Sequence, residues 1–191
     1  MGQSPAKTSK DALWAFGISL PSPAGRNRIT VLPPCPIGVP MKLTDVLKSN
    51  CVKVPLAGGD STTVIEELVE LLASAGLLGN RRLVLQAVLE REARRSTGIG
   101  HGLAIPHGKT TECDRLVIAI GKPAQPIDFD AIDGKPVSLI ALLASPLDQT
   151  GPHIQALARI SRLMMIDSVR SAMLQAQTAD ELYRVIANHE S

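Results

Sequence analysis

Aromatic side chains are almost absent from this sequence, and their scarcity excludes one class of function at the outset. Phe, Trp and Tyr make up 2% of the 191 residues. Proteins that bind single-stranded nucleic acids stack the bases on exposed rings, and this chain has no set of rings for that role. The formal net charge of +2 is also too small for a protein that neutralises a phosphate backbone. We therefore expect no nucleic-acid partner.

Cysteine and long apolar runs are scarce as well. The three cysteines are an odd number and have no CxxC spacing, which favours neither a disulfide framework nor a zinc site. We expect a reducing, cytoplasmic location. Hydrophobic residues make up 45% of the chain, but they occur in short runs, far below the roughly 18 consecutive residues of a membrane span. The sequence therefore predicts no membrane insertion and an aliphatic core.

Proline content divides the chain into two parts. Residues 1–40 are rich in proline, with Ser, Gly and Arg, and show no sustained helical or strand period, which predicts a disordered extension. A signal peptide is the less favoured alternative, because Gly17 and Ser19 interrupt its apolar run. Met41 is a candidate for the true start, since ordered pattern begins there. Residues 41–191 are expected to form one domain.

Hydrophobic periodicity in this domain predicts helices before and after a block of apolar strands. We expect helices at residues 43–47, 61–76, 80–95, 148–165, 167–174 and 178–186, with Thr44, Asp60 or Ser61, Asn80, Asp167 and Thr178 as possible caps. Strands are expected at residues 51–54, 103–107, 116–120 and 137–144, with a short one at 127–129. This order predicts an α/β domain with a sheet of four or five strands, flanked by helices on both sides.

The stretch from Ser96 to Lys109 concentrates the residues suited to chemistry. Glycine-rich backbone turns tightly and can direct amide hydrogens at an anion. The candidate anion-binding glycines are Gly98, Gly100, Gly102 and Gly108. Pro106 fixes the chain direction where a strand would end on His107. Neutral imidazole is a nucleophile at pH 7 and can carry a phosphoryl group. The same pattern also fits a plain strand-end turn, so both interpretations stay open here.

Other kinds of reactive site lack their motifs. The spacing of His101, His107 and His153 does not match a zinc template, and we expect no metal. The sequence contains no GxSxG nucleophile elbow. Neither Gly98–Gly100 nor Gly108–Thr110 completes a P-loop. We therefore predict no nucleotide or other cofactor.

The segments Ser96–Gly100 and Leu103–Lys109 closely resemble the phosphorylation-site signature of IIA proteins of the bacterial phosphotransferase system, fructose/mannitol class (EIIA type 2). The likeness runs from about Met41 to the C-terminus and includes Ile127–Asp133 and Leu147–Thr150. Within the class it is greatest for the nitrogen-regulatory IIA proteins. The resemblance implies mixed strand pairing in the sheet and a phosphohistidine intermediate that needs no metal or nucleotide.

The resemblance also implies roles for three separate residues. His107 is the phosphoacceptor, as tele-phosphohistidine, while Arg91 holds phosphoryl oxygens and His153 donates through a ring nitrogen. Without the resemblance, Arg91 fits a solvated helix-end cation, and His153 fits an exposed residue in a helix's first turn. Two positions depart from the family pattern: His101 stands where relatives usually have Asn, and Arg95 where glycine is common. His101 would share a face with His107 if the strand extended that far.

The implied function is that of a nitrogen-regulatory phosphotransfer component. His107 would accept a phosphoryl group from a phosphohistidine carrier protein, and partners such as sensor kinases or potassium transporters would respond to the phosphorylation state. One alternative is a sugar-transport IIA component that passes the group to a fructose- or mannitol-type IIB domain, although Gly108–Lys109 weakly favours the regulatory branch. The other alternative is a non-catalytic binding module in which His107 is structural.

Overall fold

A computed structural model of the chain describes residues 41–190. The expected N-terminal extension and the signal-peptide alternative lie outside the described residues. The described part opens with a short 3-10 turn, Leu43–Asp45, and continues with strands and helices. In chain order these are β1 Leu47–Leu56, α1 Ser61–Ser74, α2 Arg81–Arg94, β2 Gly98–Gly100, β3 Leu103–Ala104, β4 His107–Lys109, β5 Val117–Pro123, β6 Leu139–Ser145, α3 Thr150–Met165, α4 Asp167–Gln175 and α5 Ala179–His189.

Within residues 41–190, six strands form one mixed sheet in the order β1-β5-β6-β3-β2, with β4 also pairing with β6. Strand β6 is antiparallel to β5 and parallel to both β3 and β4, and β2 pairs with β3 in an antiparallel hairpin. The mixed α/β fold is as predicted, but the sheet has six strands rather than four or five. The strand expected at residues 103–107 is divided at Ile105–Pro106, because proline has no amide hydrogen for the ladder.

The core lies on both faces of the two central strands. All seven residues of β6 and nearly all of β5 are buried. Successive side chains of a strand point to opposite faces, so both faces of the sheet are covered. This agrees with the prediction of helices on both sides of the sheet. Helix α1 packs on β1 and β5, α5 packs on β1, and α3 packs on β6. This packing brings the carboxyl end of β6 next to the first turn of α3.

Three predicted helix caps are present in the structure. The Asp60 side chain accepts from the Thr63 amide at 2.9 Å, and the Asn80 side chain accepts from the Arg82 amide at 3.0 Å. The Thr178 hydroxyl accepts from the Glu181 amide at 3.2 Å. These side chains satisfy amide groups that have no partner within the helix, so capping was correctly predicted at α1, α2 and α5.

Element boundaries depart from the prediction at several places. The helical turn expected at 43–47 is only the 3-10 turn, and β1 begins at Leu47 instead of Cys51. Thr44 lies inside the turn and donates its amide to the Glu190 carboxylate at 3.1 Å, so it is not a cap. Asp167 is the first residue of α4, after Ile166 as the cap residue. The predicted strand at 127–129 is a single bridge between Ile127 and Val137.

Candidate functional site

His107 is the first residue of β4 and follows the break at Pro106. Its Nδ1 lies 2.8 Å from the carbonyl oxygen of Ile105. A carbonyl can only accept, so Nδ1 carries a hydrogen and donates it, and the lone pair of the neutral ring is left on Nε2. Burial is the largest cause that lowers the pKa of His107, and the charge of Arg91 lowers it further. The ring is therefore neutral at pH 7, with its free lone pair on Nε2.

His153 lies beside His107, although the two are far apart in sequence. The ring centroids are 5.3 Å apart and the ring planes meet at 65°. His153 is in the first turn of α3 and is 5% exposed, so it is not the exposed residue that its sequence position alone allowed. Its Nδ1 lies 2.8 Å from Oγ of Ser145. Burial, followed by the charges of His107 and Lys109, lowers the pKa of His153 to about 4.

Arg91 occupies the last turn of α2, where its Nη1 donates to the Arg95 carbonyl at 2.8 Å. Helix α2 packs against β4, and this contact carries the guanidinium towards His107. Arg91, His107 and His153 line one cavity of about 380 Å³, together with Lys109. The structure thus brings together the three residues whose roles the family resemblance implied.

A second cavity, of about 530 Å³, is also lined by His107 and Arg91. Its walls include the apolar residues Ile99, Ile105 and Ile132. Ile99 and Ile132 are exposed to solvent. His107 is therefore reached from a polar cavity and from a more apolar one.

The four candidate glycines fall into two pairs. Gly98 lines the larger cavity and Gly108 the smaller one. The amide of Gly98 donates to Oγ of Ser96 at 3.0 Å, and a Cβ on Gly98 would lie 2.7 Å from a backbone atom of Ala131. Gly100 and Gly102 have φ values of 89° and 75° and lie at the turn of the β2–β3 hairpin. Neither of them lines either of the two cavities. A phosphoryl-binding role for these glycines stays a prediction.

His101 lies between those two glycines and does not share a strand with His107. It has a φ of 55° and is exposed, and its amide donates to Oδ2 of Asp133 at 3.1 Å. The chain reverses direction at this turn, so the alternation of faces cannot be continued from His107 to His101. Arg95, the other departure from the family pattern, lines the larger cavity and accepts the bond from Arg91.

Three side chains of the site have roles that the sequence did not reveal. Glu92 accepts hydrogen bonds from the amide of Thr97 at 3.0 Å and from its hydroxyl, which ties the start of the β2–β3 segment to α2. Lys109 donates from Nζ to the hydroxyl of Thr150. Ser145 is fully buried against His153. The one available sequence signal for Ser145 was a hydroxyl at the end of a continuous apolar strand.

The part of the chain that the structure describes has neither a candidate metal site nor a candidate membrane span. Within residues 41–190, no three His, Cys, Asp or Glu side chains are grouped so that they would hold a metal ion. No helix in this described range combines the length and the apolar character needed to cross a bilayer.

Comparison with known proteins assigns the chain to a family. The model of the family described as "Phosphoenolpyruvate-dependent sugar phosphotransferase system, EIIA 2" matches residues 45–189. The chain belongs to this EIIA type 2 family. The resemblance carried by Ser96–Lys109 is therefore confirmed.

Relatives of this EIIA type 2 chain include sugar-specific and regulatory proteins. It is 35% identical to the fructose-specific EIIABC component of Bacillus subtilis over 150 residues. The matched region covers 78% of this chain but only 24% of that protein. It is 32% identical to a nitrogen regulatory protein of Bradyrhizobium diazoefficiens over 148 residues. The matched region covers 77% of this chain and 95% of that protein.

A solved structure confirms the fold of the EIIA type 2 domain. Nitrogen regulatory protein IIA-Ntr from Neisseria meningitidis is 30% identical and superimposes with a TM-score of 0.69, over 75% of this chain and 98% of that chain. The predicted fold class, a mixed sheet flanked by helices, is the fold of these proteins.

Proposed function

We propose that this domain reversibly accepts a phosphoryl group on Nε2 of His107 from the phosphohistidine of a carrier protein. The observation that carries the proposal is the 2.8 Å bond between Nδ1 of His107 and the Ile105 carbonyl. That bond leaves the lone pair on Nε2 and keeps the ring oriented for attack. Membership of the EIIA type 2 family supports a phosphotransfer role.

The transfer balances without a cofactor. The Nε2 lone pair bonds to phosphorus while the phosphorus–nitrogen bond of the carrier breaks, and the released electron pair returns to the carrier's imidazole. The carrier changes from phosphoimidazolium to neutral imidazole, and His107 changes from neutral imidazole to phosphoimidazolium. The Ile105 carbonyl accepts from Nδ1–H throughout and stabilises the charge that develops on the ring.

Cations and N–H donors around the smaller cavity offset the charge on the phosphoryl oxygens. Arg91 and Lys109 both line this cavity, and a charged donor bonds an anionic oxygen more strongly than a neutral donor does. In the resting domain, Arg91 donates to an exposed carbonyl and Lys109 donates to Thr150. Both side chains exchange these partners for phosphoryl oxygens when His107 is phosphorylated. Most of the catalytic effect is positioning and electrostatic stabilisation.

The output of the reaction is regulatory. In this proposal the domain acts in the cytoplasm, and its partners, such as sensor kinases or potassium transporters, respond to the phosphorylation state of His107. The likeness to nitrogen regulatory proteins, which this chain matches over nearly their whole length, supports that role. The second candidate is sugar transport, with transfer onward to a IIB domain, and the likeness to the fructose-specific EIIABC component favours it.

A phosphorylation assay tests the proposal. The chain is incubated with phosphoenolpyruvate, the first enzyme of the phosphotransferase system and its phosphohistidine carrier, and acid-labile phosphate is measured on the intact protein. Wild type is expected to gain one phosphoryl group and His107→Ala none. His101→Ala, which changes an exposed histidine of the same segment, is the matched control and should behave like wild type. If wild type gains no phosphate, the domain is a binding module and not a phosphotransfer component. If His107→Ala gains as much phosphate as wild type, the acceptor is another residue and the role proposed for His107 is wrong.

Adding a fructose-type IIB domain to the phosphorylated protein separates the two branches. Rapid transfer to that domain indicates sugar transport. Retention of the phosphate, with capture of a partner protein by only one of the two phosphorylation states, indicates the regulatory branch.

A further inference from the structure

The hydroxyl of Ser145 has a restricted choice of hydrogen-bond partner. Ser145 is the last residue of β6 and is fully buried. Within residues 41–190, Nδ1 of His153, at 2.8 Å, is the single partner of its Oγ. A hydroxyl proton that is buried without an acceptor destabilises the folded state. The direction of this one bond therefore decides whether the proton of Ser145 is satisfied.

Two arrangements of protons are compatible with the 2.8 Å distance. If Nδ1 of His153 donates to Oγ, the serine proton must find another acceptor, and none lies within reach among the described residues. If Ser145 donates to Nδ1, its proton is satisfied, and a neutral His153 ring carries its hydrogen on Nε2. The lowered pKa of His153, about 4, means that the ring is neutral at pH 7. The second arrangement leaves no buried polar hydrogen without a partner.

We propose that Ser145 is a positioning residue whose O–H donates to Nδ1 of His153 and so holds the hydrogen of that ring on Nε2. His153 thereby offers an N–H donor to an anionic group in the cavity that it lines with His107. The importance of this donor for phosphoryl transfer rests on the function proposed above. The assignment of the tautomer does not depend on that function.

The two histidines then hold opposite tautomers, and each suits a different task. The Ile105 carbonyl accepts a hydrogen bond from Nδ1–H of His107, which leaves the lone pair on Nε2 for attack on phosphorus. Ser145 donates to His153 and leaves a hydrogen on Nε2 for a phosphoryl oxygen. Phosphoryl oxygens are acceptors only, so a lone pair on Nε2 of His153 would repel them. A backbone carbonyl and a hydroxyl thus select the tautomers that a nucleophile and a donor require.

Strand pairing explains why Ser145 is available for this role. Strands β4 and β6 are parallel, with His107 opposite Leu143 and Lys109 opposite Ser145. The site therefore lies at the carboxyl end of β6, where the chain leaves the sheet and α3 begins at Thr150. His153 returns over this strand end, and its ring meets the last side chain of β6.

Nitrogen NMR of the wild-type domain tests the tautomer directly. With ¹⁵N-labelled histidine at neutral pH, we expect Nδ1 of His153 to show the shift of an unprotonated nitrogen and Nε2 that of a protonated one. For His107 we expect the reverse. A protonated Nδ1 on His153 overturns the proposal, and no variant is needed to obtain that result.

Variants test whether the bond matters for transfer. Ser145→Ala removes the donor, and we expect a mixture of His153 tautomers with transfer about two- to tenfold slower, the range that corresponds to one ordinary hydrogen bond. Ser145→Thr keeps the hydroxyl and should keep the wild-type tautomer and most of the rate. Ser138→Ala, just before the other end of β6, is the matched control and should leave both unchanged.

The results separate this inference from the proposed function. If Ser145→Ala shows wild-type nitrogen shifts and a wild-type transfer rate, Ser145 is not a positioning residue. If the wild-type domain shows the expected tautomers but accepts no phosphate, the proposed function is wrong, and the assignment of the Ser145 proton is supported.

Discussion

Acidification is expected to destabilise this domain through His153. The ring is 5% exposed, and its pKa is lowered from 6.5 to about 4, first by burial and then by the charges of His107 and Lys109. Between these two pKa values, the unfolded chain binds a proton at His153 that the folded domain does not bind. The free energy of unfolding therefore rises with pH across this range and falls as the pH is lowered through it.

The size of the effect follows from the same two pKa values. Each pKa unit is worth about 1.36 kcal/mol, so the lowering at His153 corresponds to about 3 kcal/mol when fully expressed. At neutral pH the ring is uncharged in both states, and the loss is close to zero. It approaches its full value near the folded pKa of about 4. A loss of this size is a large part of the roughly 5–15 kcal/mol that stabilises an ordinary domain.

Urea unfolding at about pH 7 and about pH 4 measures the loss, and His153→Gln removes the titrating ring. Wild type should lose about 3 kcal/mol more than His153→Gln between the two conditions. Carboxylates that bind protons towards the acid end of this range contribute to both proteins and cancel in the comparison. His101→Gln removes an exposed histidine and should follow wild type. Equal losses in wild type and His153→Gln would refute the reasoning.

Three further sets of substitutions test other contacts of the site. Arg91→Ala is expected to slow phosphoryl transfer about 10- to 100-fold, because a hydrogen bond to a charged group is worth about 1.5–3 kcal/mol; rapid-quench kinetics measure this, and an unchanged rate contradicts the assigned role. Glu92→Ala removes both hydrogen bonds to Thr97. It should lower the free energy of unfolding by about 2–3 kcal/mol and speed hydrogen exchange at the Thr97 amide; unchanged exchange at that amide would count against a role for Glu92 in holding Thr97. Gly98→Ala would place a Cβ 2.7 Å from a backbone atom and should destabilise the domain by about 1–3 kcal/mol. Gly59→Ala, at an exposed loop position where a Cβ would meet nothing within 4 Å, is the matched control and should change the stability by less than about 0.5 kcal/mol; thermal unfolding that ranked this pair in the opposite order would contradict the packing argument.

Features that depend on neighbouring residues were predictable from the sequence. Asp60, Asn80 and Thr178 cap the helices that they were expected to cap, because a cap binds an amide only two or three residues away. The strand count was harder to predict. Strands β2, β3 and β4 have only two or three residues each, and they are strands because β6 and the hairpin supply their partners. Pairing of this kind leaves almost no local pattern.

The site shows the same division between local and distant information. His107 was a candidate from its own segment, whereas Arg91 and His153 came from the family resemblance alone, since only the packing of α2 on β4 and of α3 on β6 brings them near. Ser145 was missed for that reason. His101 was expected to share a face with His107 only if one strand ran through both residues. The structure has a turn at His101, with a φ of 55°, so the two residues are not on one strand.

The position of the phosphate on the phosphorylated protein tests the central claim most directly. Coupling between ³¹P and ¹⁵N in histidine-labelled protein identifies the nitrogen that carries phosphorus. We predict phosphorus on Nε2 of His107, with Nδ1 still protonated and bound to the Ile105 carbonyl, as the 2.8 Å contact requires. Phosphorus on Nδ1 of His107, or on any other residue, would contradict the account.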